Sequence, residues 1–371
     1  MLTWVAISKR ALRHNLLTFK KIIGPKRLLM PVIKSNAYGH GLVEVAKFCD
    51  TNPLVDRLCV VNLEEALILI KAKIKKSLII LGIYETDNKK LAIAIKKNVV
   101  FPVYTHEQAI ILGRIARRLK KKVSVHVKID TGASRIGILP DNALTFVRQL
   151  RKNRHLIIEG LWSHFSSSEN NAKETHRQTK LFEKVVATLE KNHIDIPIKH
   201  MACSASTILY PVSHCTAVRF GISLYGLHPD TATTSLVRLK PVLSWKTMVI
   251  QVKTIPKGSR ISYGGIYIAK RETKLAILPI GYWDGLPRHL SNRADVLIRG
   301  KRCPIRGRIC MNLTMVDVSD LLNIKAGETA TIIGRDKKET ITAEELAGSA
   351  GTINYEIVSR INPLIPRQFV A

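Results

Sequence analysis

A chain of 371 residues that is 46% hydrophobic can bury a large core, which excludes a disordered carrier and leaves room for two domains or one barrel with an appendage. Its 59 lysines and arginines against 28 acids give a formal charge of +31, yet the basic residues are spread along the chain without a basic arm, zinc pattern or aromatic-studded basic motif, so no nucleic-acid partner is expected. Six cysteines without a CxxC pair point to reduced thiols and a cytoplasmic location. No window approaches the roughly 20 apolar residues of a spanning helix, so no membrane partner is expected.

In chain order, a short strand is expected around residues 4–7 and a helix over 11–23. Eight apolar runs follow, at 28–33, 58–61, 78–82, 99–103, 123–129, 157–163, 196–201 and 217–223. Amphipathic patterns lie between most of them, as at 63–70, 107–119, 143–150 and 179–189. Unbroken apolar strands alternating with helices imply a parallel sheet covered by helices. Eight such units fit a (β/α)8 TIM-type barrel, whose usual size is roughly 250 residues. A doubly wound sheet competes, but no GxGxxG follows the first run. From about residue 236 shorter β-rich runs, at 244–252, 275–279, 294–298, 313–318 and 329–333, are separated by Gly, Pro and Asp turns, with one helix near 342–350. The expected division is an α/β barrel over 1–235 followed by a mostly β C-terminal domain over 236–371.

In such a barrel the chemistry sits at the C-terminal ends of the strands. Lys34 ends the first barrel run, just before a Gly-rich turn, where a solvated lysine is oddly placed. Lys128 lies in the fifth run with Arg135 soon after, His164 follows the sixth, Ser204 the seventh, and Arg219 lies in the eighth. The loops after strands seven and eight often cradle a phosphate, and Ser204, Gly221 and Ile222 could do so here. A lysine on the opposite wall then suits an aldehyde cofactor held by its phosphate, since lysine forms Schiff bases with pyridoxal phosphate.

Seven motifs in order carry a closer likeness: VIKSNAYGHG at 32–41, HVKIDTG at 126–132, RFGISLYG at 219–226, SYGG at 262–265, PIGYWDG at 279–285, GRICM at 307–311 and TINYE at 352–356. Together they resemble the alanine racemases, pyridoxal-phosphate enzymes that interconvert L- and D-alanine. The resemblance implies that the barrel binds pyridoxal 5'-phosphate through a Schiff base on Lys34. It also implies that Lys34 and Tyr263 are the two bases on opposite faces of the substrate, as proton removal from one face and return to the other requires. Free lysine and tyrosine have pKa values of roughly 10.4 and 10, so both must be depressed by their surroundings.

Further roles follow from the same resemblance. Arg219 matches the residue facing the cofactor's ring nitrogen, where a permanently charged guanidinium limits side reactions. His164, with Arg219 and His200 behind it, would stabilise the phenolate of Tyr263. Tyr38, Ser204, Gly221, Ile222 and Tyr355 match phosphate and cofactor-binding positions. Arg135 matches the arginine near the cofactor's phenolic oxygen and the substrate, and Lys128 the lysine that becomes carbamylated and orients it. The Met311 amide would hold the substrate carboxylate, and Tyr282, Tyr355 and Arg288 match the entrance and pocket. In the family Tyr263, Tyr282 and Met311 come from the partner subunit, which implies a homodimer with shared sites. The product would feed peptidoglycan.

Three positions depart from the family's pattern: Ala133 where methionine is common, Cys203 where asparagine is common, and Asn312 where aspartate usually follows Met311. On residues alone Lys128 could instead pair with Asp130 or Glu159. The alternative activities are a racemase of serine or of broader specificity, or a barrel decarboxylase. A decarboxylase would need an acidic substrate-binding pattern and a distinct C-terminal cysteine that this sequence lacks.

Overall fold

The protein's structure, a computed structural model, describes every residue from Met1 to Ala371. Two compact units emerge: one of Arg13–Ser35 and Leu42–Lys240, the other of Met1–Leu12, Asn36–Gly41 and Pro241–Ala371. No helix is long and apolar enough to cross a membrane, and all six cysteines are free thiols.

The first unit is a (β/α)8 barrel. Its strands, Leu28–Pro31, Arg57–Val60, Ser77–Ile80, Phe101–Val103, Val123–Lys128, Leu156–Trp162, Ile198–His200 and Ala217–Phe220, coincide with the eight apolar runs. Parallel pairing joins the first strand to the last, the second to the third, and the fourth through the eighth in all but the last step. Single bridges, Val32↔Cys59 and Ile79↔Val100, complete two further joints. The ring closes where Arg219 N donates to Ala202 O at 3.0 Å and Thr216 N to Lys199 O at 3.0 Å.

The helices form where the sequence provides both a cap and an apolar stripe. His106–Arg118 opens on a reciprocal cap in which Thr105 Oγ1 accepts Gln108 N and Gln108 Oε1 accepts Thr105 N, each at 3.2 Å. Such a cap contributes about 1 kcal/mol. The helix then buries Ala109, Leu112, Ile115 and Ala116. Phe19 and Phe220 stack inside the same unit, with ring centroids 4.3 Å apart.

The second unit is β-rich. One sheet runs Lys301–Pro304, Asp295–Ile298, Thr329–Asp336, Leu243–Met248, Thr3–Ser8, Arg367–Val370, and a second runs Gln251–Ile255, Thr273–Leu278, Thr314–Asp317. The boundary expected at residue 235 cuts the chain once, whereas these units interleave. Thr3–Ser8 pairs antiparallel with Leu243–Met248 and parallel with Arg367–Val370, which places residues 1–12 in the β-rich unit. The single run expected over 244–252 is two strands in different sheets, because the chain turns after Met248 from a half that buries Trp245 and Thr247 to one that exposes Gln251 and Lys253.

Candidate active site

Lys34 begins the short helix Lys34–Tyr38, whose screw sense is unusual. Ser35, Asn36, Ala37 and Tyr38 have φ of 55, 54, 52 and 53°, four consecutive left-handed residues without a glycine among them. L-residues visit this region singly, at about 1–2 kcal/mol each, so surrounding bonds must hold the turn. The Ser35 amide donates to Glu65 Oε1 at 2.5 Å. Further along, the Gly39 carbonyl accepts Arg367 Nε at 3.1 Å and Nη2 at 2.9 Å, and the His40 imidazole Nδ1 bonds the Ala37 and Tyr38 carbonyls. Gly39 itself, at φ 86°, lies where a Cβ would run into the Val358 carbonyl. Burial and the Arg135 charge hold the Lys34 ammonium below its ordinary pKa, against a smaller opposing pull from Glu65. The amine is thereby made easier to deprotonate.

Several expected groups lie close enough to Lys34 to feel one another's charge. The Lys128 ammonium, buried in the Val123–Lys128 strand, sits 3.9 Å above the Trp162 ring. Burial, then Arg219 and Arg135, drive its pKa well down. Neither carboxylate that might have paired with it does so: Asp130 accepts the amides of Gly132, Ala133, Ser134 and Arg135, and Glu159 is clamped by Arg57. His164 is held neutral by burial and by the charges of Arg219, Lys128, Arg135 and Lys34, in that order. Its Nδ1 lies 3.4 Å from Arg219 Nη2 and can only accept, because guanidinium has no lone pair.

Arg219 is almost wholly buried, and burial brings its pKa to about 10. Its Nη1 donates to the His200 imidazole and to His200 O at 3.1 Å, and its Nη2 to Ser163 O at 2.8 Å and Met201 O at 3.3 Å. Only Nε–H is left uncommitted. Ser204 Oγ accepts the amides of Gly221 at 3.1 Å and Ser223 at 3.4 Å but donates its own proton to nothing in the chain. Ile222, buried beside Gly221, continues the same turn. A reactive amine, a free hydroxyl donor on a bent backbone and one spare guanidinium N–H are the donor set that an aldehyde-bearing, phosphorylated pyridine requires, so these residues fit pyridoxal phosphate.

The second unit carries the remaining expected residues. Tyr38 and Tyr355 have ring centroids 6.2 Å apart. Tyr282 N donates to Cys310 O and Trp283 N to Met311 O, both at 3.0 Å, which joins the Tyr282 and Met311 loops, and the Met311 amide makes no bond of its own. Tyr263 follows Ser262, whose Oγ donates to Arg308 O at 2.6 Å and lies 3.2 Å from Cys310 Sγ. Tyr263 is 72% exposed and Met311 54%. Arg288 is also exposed, in the short helix Arg288–Leu290; its carbonyl accepts Ser291 Oγ at 2.6 Å, and that hydroxyl accepts the Ile309 amide at 3.0 Å, which ties the helix to the Met311 loop.

Three residues near the barrel site were not singled out from sequence, and a fourth, Glu159, was named only as a possible partner of Lys128. Glu65 pins the left-handed turn, Trp162 underlies Lys128 with the Arg219 guanidinium 4.8 Å from its ring, and His126 and Glu159 extend the bonds behind His200. The available signals were His126 at the head of the HVKIDTG motif, Trp162 two residues before His164, and a lone acid, Glu159, in an apolar strand.

The barrel, the strand-end lysine and a donor set that fits pyridoxal phosphate point first to a class, the barrel enzymes built for that cofactor. The comparisons narrow it. Residues 7–229 match the alanine racemase N-terminal domain and residues 242–369 the alanine racemase C-terminal domain. An alanine racemase of Methanococcus maripaludis is 39% identical over 370 residues, covering 99% of this chain and 98% of the relative. One of Halothermothrix orenii is 39% identical, covering 99% and 96%. Among solved structures, alanine racemase of Clostridium difficile superposes with a TM-score of 0.93 at 32% identity, covering 100% of this chain and 96% of the other. That of Bacillus anthracis with bound L-Ala-P gives 0.92 at 32%, covering 100% and 95%. The chain belongs to the alanine racemase family.

Proposed function

We propose that this chain is a pyridoxal-phosphate-dependent alanine racemase, an isomerase that interconverts L- and D-alanine by two bases. The observation that carries the reading is Lys34 at the barrel mouth, its ammonium depressed by burial and Arg135 and its backbone held in a left-handed turn. Family membership over the full chain supports the same activity.

When bound, the cofactor supplies an imine link to the amino group and a ring that disperses the electrons left behind as Cα loses its proton. Lys34 would anchor it, and Ser204 Oγ–H with the Ile222 amide would receive its phosphate, while Gly221, whose own amide is given to Ser204 Oγ, shapes the turn. Arg219 would offer its spare Nε–H to the ring nitrogen without supplying a proton, which would keep the electron sink moderate and side reactions low. Lys34 Nζ moves the proton on one face and Tyr263 Oη on the other. The free Met311 amide takes the substrate carboxylate. The Lys128 amine, once it has shed its proton, which its lowered pKa eases, can add carbon dioxide, forming an N–C bond and releasing a further proton, and the resulting carboxylate would orient Arg135.

The high exposure of Tyr263 and Met311 supports their use by a second subunit, so the working form is a homodimer whose sites are shared. D-Alanine made this way supplies peptidoglycan. Borohydride reduction of the loaded protein followed by peptide mapping should place the label on Lys34, and L-alanine should be converted to the D-form. A label on another lysine, or loaded protein without turnover, would overturn the reading.

A further inference from the structure

Behind Arg219 lies a line of buried groups whose protons can be placed by elimination. The guanidinium can only donate, so its contact with His200 leaves that Nδ1 bare and puts the single imidazole proton on Nε2. His200 Nε2 lies 2.8 Å from His126 Nδ1, which must therefore accept, and the proton of His126 falls on its Nε2. That nitrogen faces Glu159 Oε2 at 3.6 Å and has no other partner. Burial keeps both imidazoles neutral, so each has one proton to place. Glu159 closes the line: Arg57 grips it with Nη1 at 2.9 Å and Nη2 at 2.5 Å. Burial raises its carboxyl pKa, but Arg57 and His126 outweigh that and bring it to about 2, so it stays ionised.

The packing keeps the rings in line. The His126 imidazole lies against Gly160 of the neighbouring strand, where a Cβ would stand 2.5 Å from its Cδ2, and the pairing of the two strands is irregular at Val125/His126. The Trp162 indole stacks on His200 with centroids 5.7 Å apart and planes 8° off parallel.

The geometry points to Glu159 as a positioning residue: acting through His126 and His200, it makes the nitrogen offered to Arg219 a permanent acceptor and so fixes the guanidinium. Without that carboxylate the His126 proton is free to move to Nδ1, the His200 proton follows to its own Nδ1, and Arg219 then faces a donor. Its link to the reaction rests on the reading that Arg219 addresses the cofactor's ring nitrogen; the proton order does not. A loosened Arg219 should let more turnovers end in transamination, in which the amino group of alanine passes to the cofactor's aldehyde carbon and pyruvate leaves.

The test uses Glu159→Gln, with Gly160→Ala as a second variant that displaces the His126 ring and leaves the charge in place. Nitrogen-15 spectra of histidine-labelled protein, with and without cofactor, should show His126 and His200 as Nε2–H tautomers in the wild type and mixed tautomers at His200 in both variants. In the loaded enzyme the racemisation kcat should fall about ten-fold, the low end for groups one step behind a site, with KM little changed and pyruvate per turnover raised. Glu159→Asp should restore part of the ratio. A wild-type proton on His200 Nδ1, or a Glu159→Gln protein with unchanged tautomers and unchanged pyruvate ratio, would overturn the assignment. Wild-type protein that binds cofactor but does not racemise alanine would instead refute the racemase reading, and the tautomer spectra would still decide the proton line.

Discussion

Glu65 takes the Ser35 amide at 2.5 Å with one carboxylate oxygen and the Val61 amide at 2.9 Å with the other, tying the residue after Lys34 to the start of the helix Leu63–Lys71. Its own amide is capped in turn by Asn62 Oδ1 at 2.9 Å. A carboxylate in this position both braces the backbone and lends charge to Lys34.

Glu65→Ala should therefore have two separable effects. Two amides lose their acceptor, at about 1–3 kcal/mol for groups left unsatisfied, so the cofactor-free protein should melt several degrees lower. The Lys34 ammonium also loses its one attractive charge, and the limb of the kcat/KM profile that reports its deprotonation should move to lower pH. An unchanged profile would show that Glu65 only braces the turn.

Lys128→Met tests the buried amine by its pH dependence. Lys128 has a folded pKa well below the unfolded value of roughly 10.4, so the unfolded chain binds its proton more tightly. Its contribution to stability is then lost progressively as pH falls from about 10 toward the folded value. The methionine variant should gain most over the wild type in urea denaturation at pH 6 and least at pH 10, while racemisation falls because nothing orients Arg135. Equal gains at both pH values would mean that the amine is charged in the folded protein.

Asn312 donates to Asp284, whose carboxyl pKa is raised by burial against the pull of its hydrogen bonds, including one from the Gly281 amide at 2.9 Å. Asn312→Asp restores the residue common in the family but sets two carboxylates in contact, so the Asp284 pKa should rise further. A raised native carboxyl pKa means stability that is lost as pH rises through it. The melting temperature of the variant should match the wild type at pH 4 and fall behind by pH 7; a constant difference would place the second carboxylate elsewhere.

Mixing Lys34→Ala and Tyr263→Phe proteins tests the shared site. If each site draws its lysine from one subunit and its tyrosine from the other, random exchange puts one intact site in half of the dimers, about a quarter of wild-type activity. No rescue after verified subunit exchange would place both bases in one chain.

The barrel was legible because strands buried on both faces read as unbroken runs of Leu, Ile and Val, and all eight coincide with such runs. The destination of Thr3–Ser8 was not, because its partners, Leu243–Met248 and Arg367–Val370, lie at the far end of the chain and six residues cannot name a sheet. Lys34, Ser204 and Arg219 stood out by their places at strand ends. Glu65 did not, since an acid in the first turn of a helix reads as an ordinary partner of the helix dipole, and only the folded turn shows that it reaches Ser35. The role of Glu159 depends on an arginine 102 residues earlier in the chain and a histidine ring seated on a glycine, neither of which leaves a local pattern.

Four successive residues of the wrong hand behind the reactive lysine make Ser35–Tyr38 a place where mirror-image building blocks should outperform natural ones. In a semisynthetic chain, D-alanine at position 37, whose backbone prefers this screw sense, should relieve about 1–2 kcal/mol of strain and raise the unfolding temperature. The enzyme would then be stabilised by the very kind of amino acid it is proposed to make.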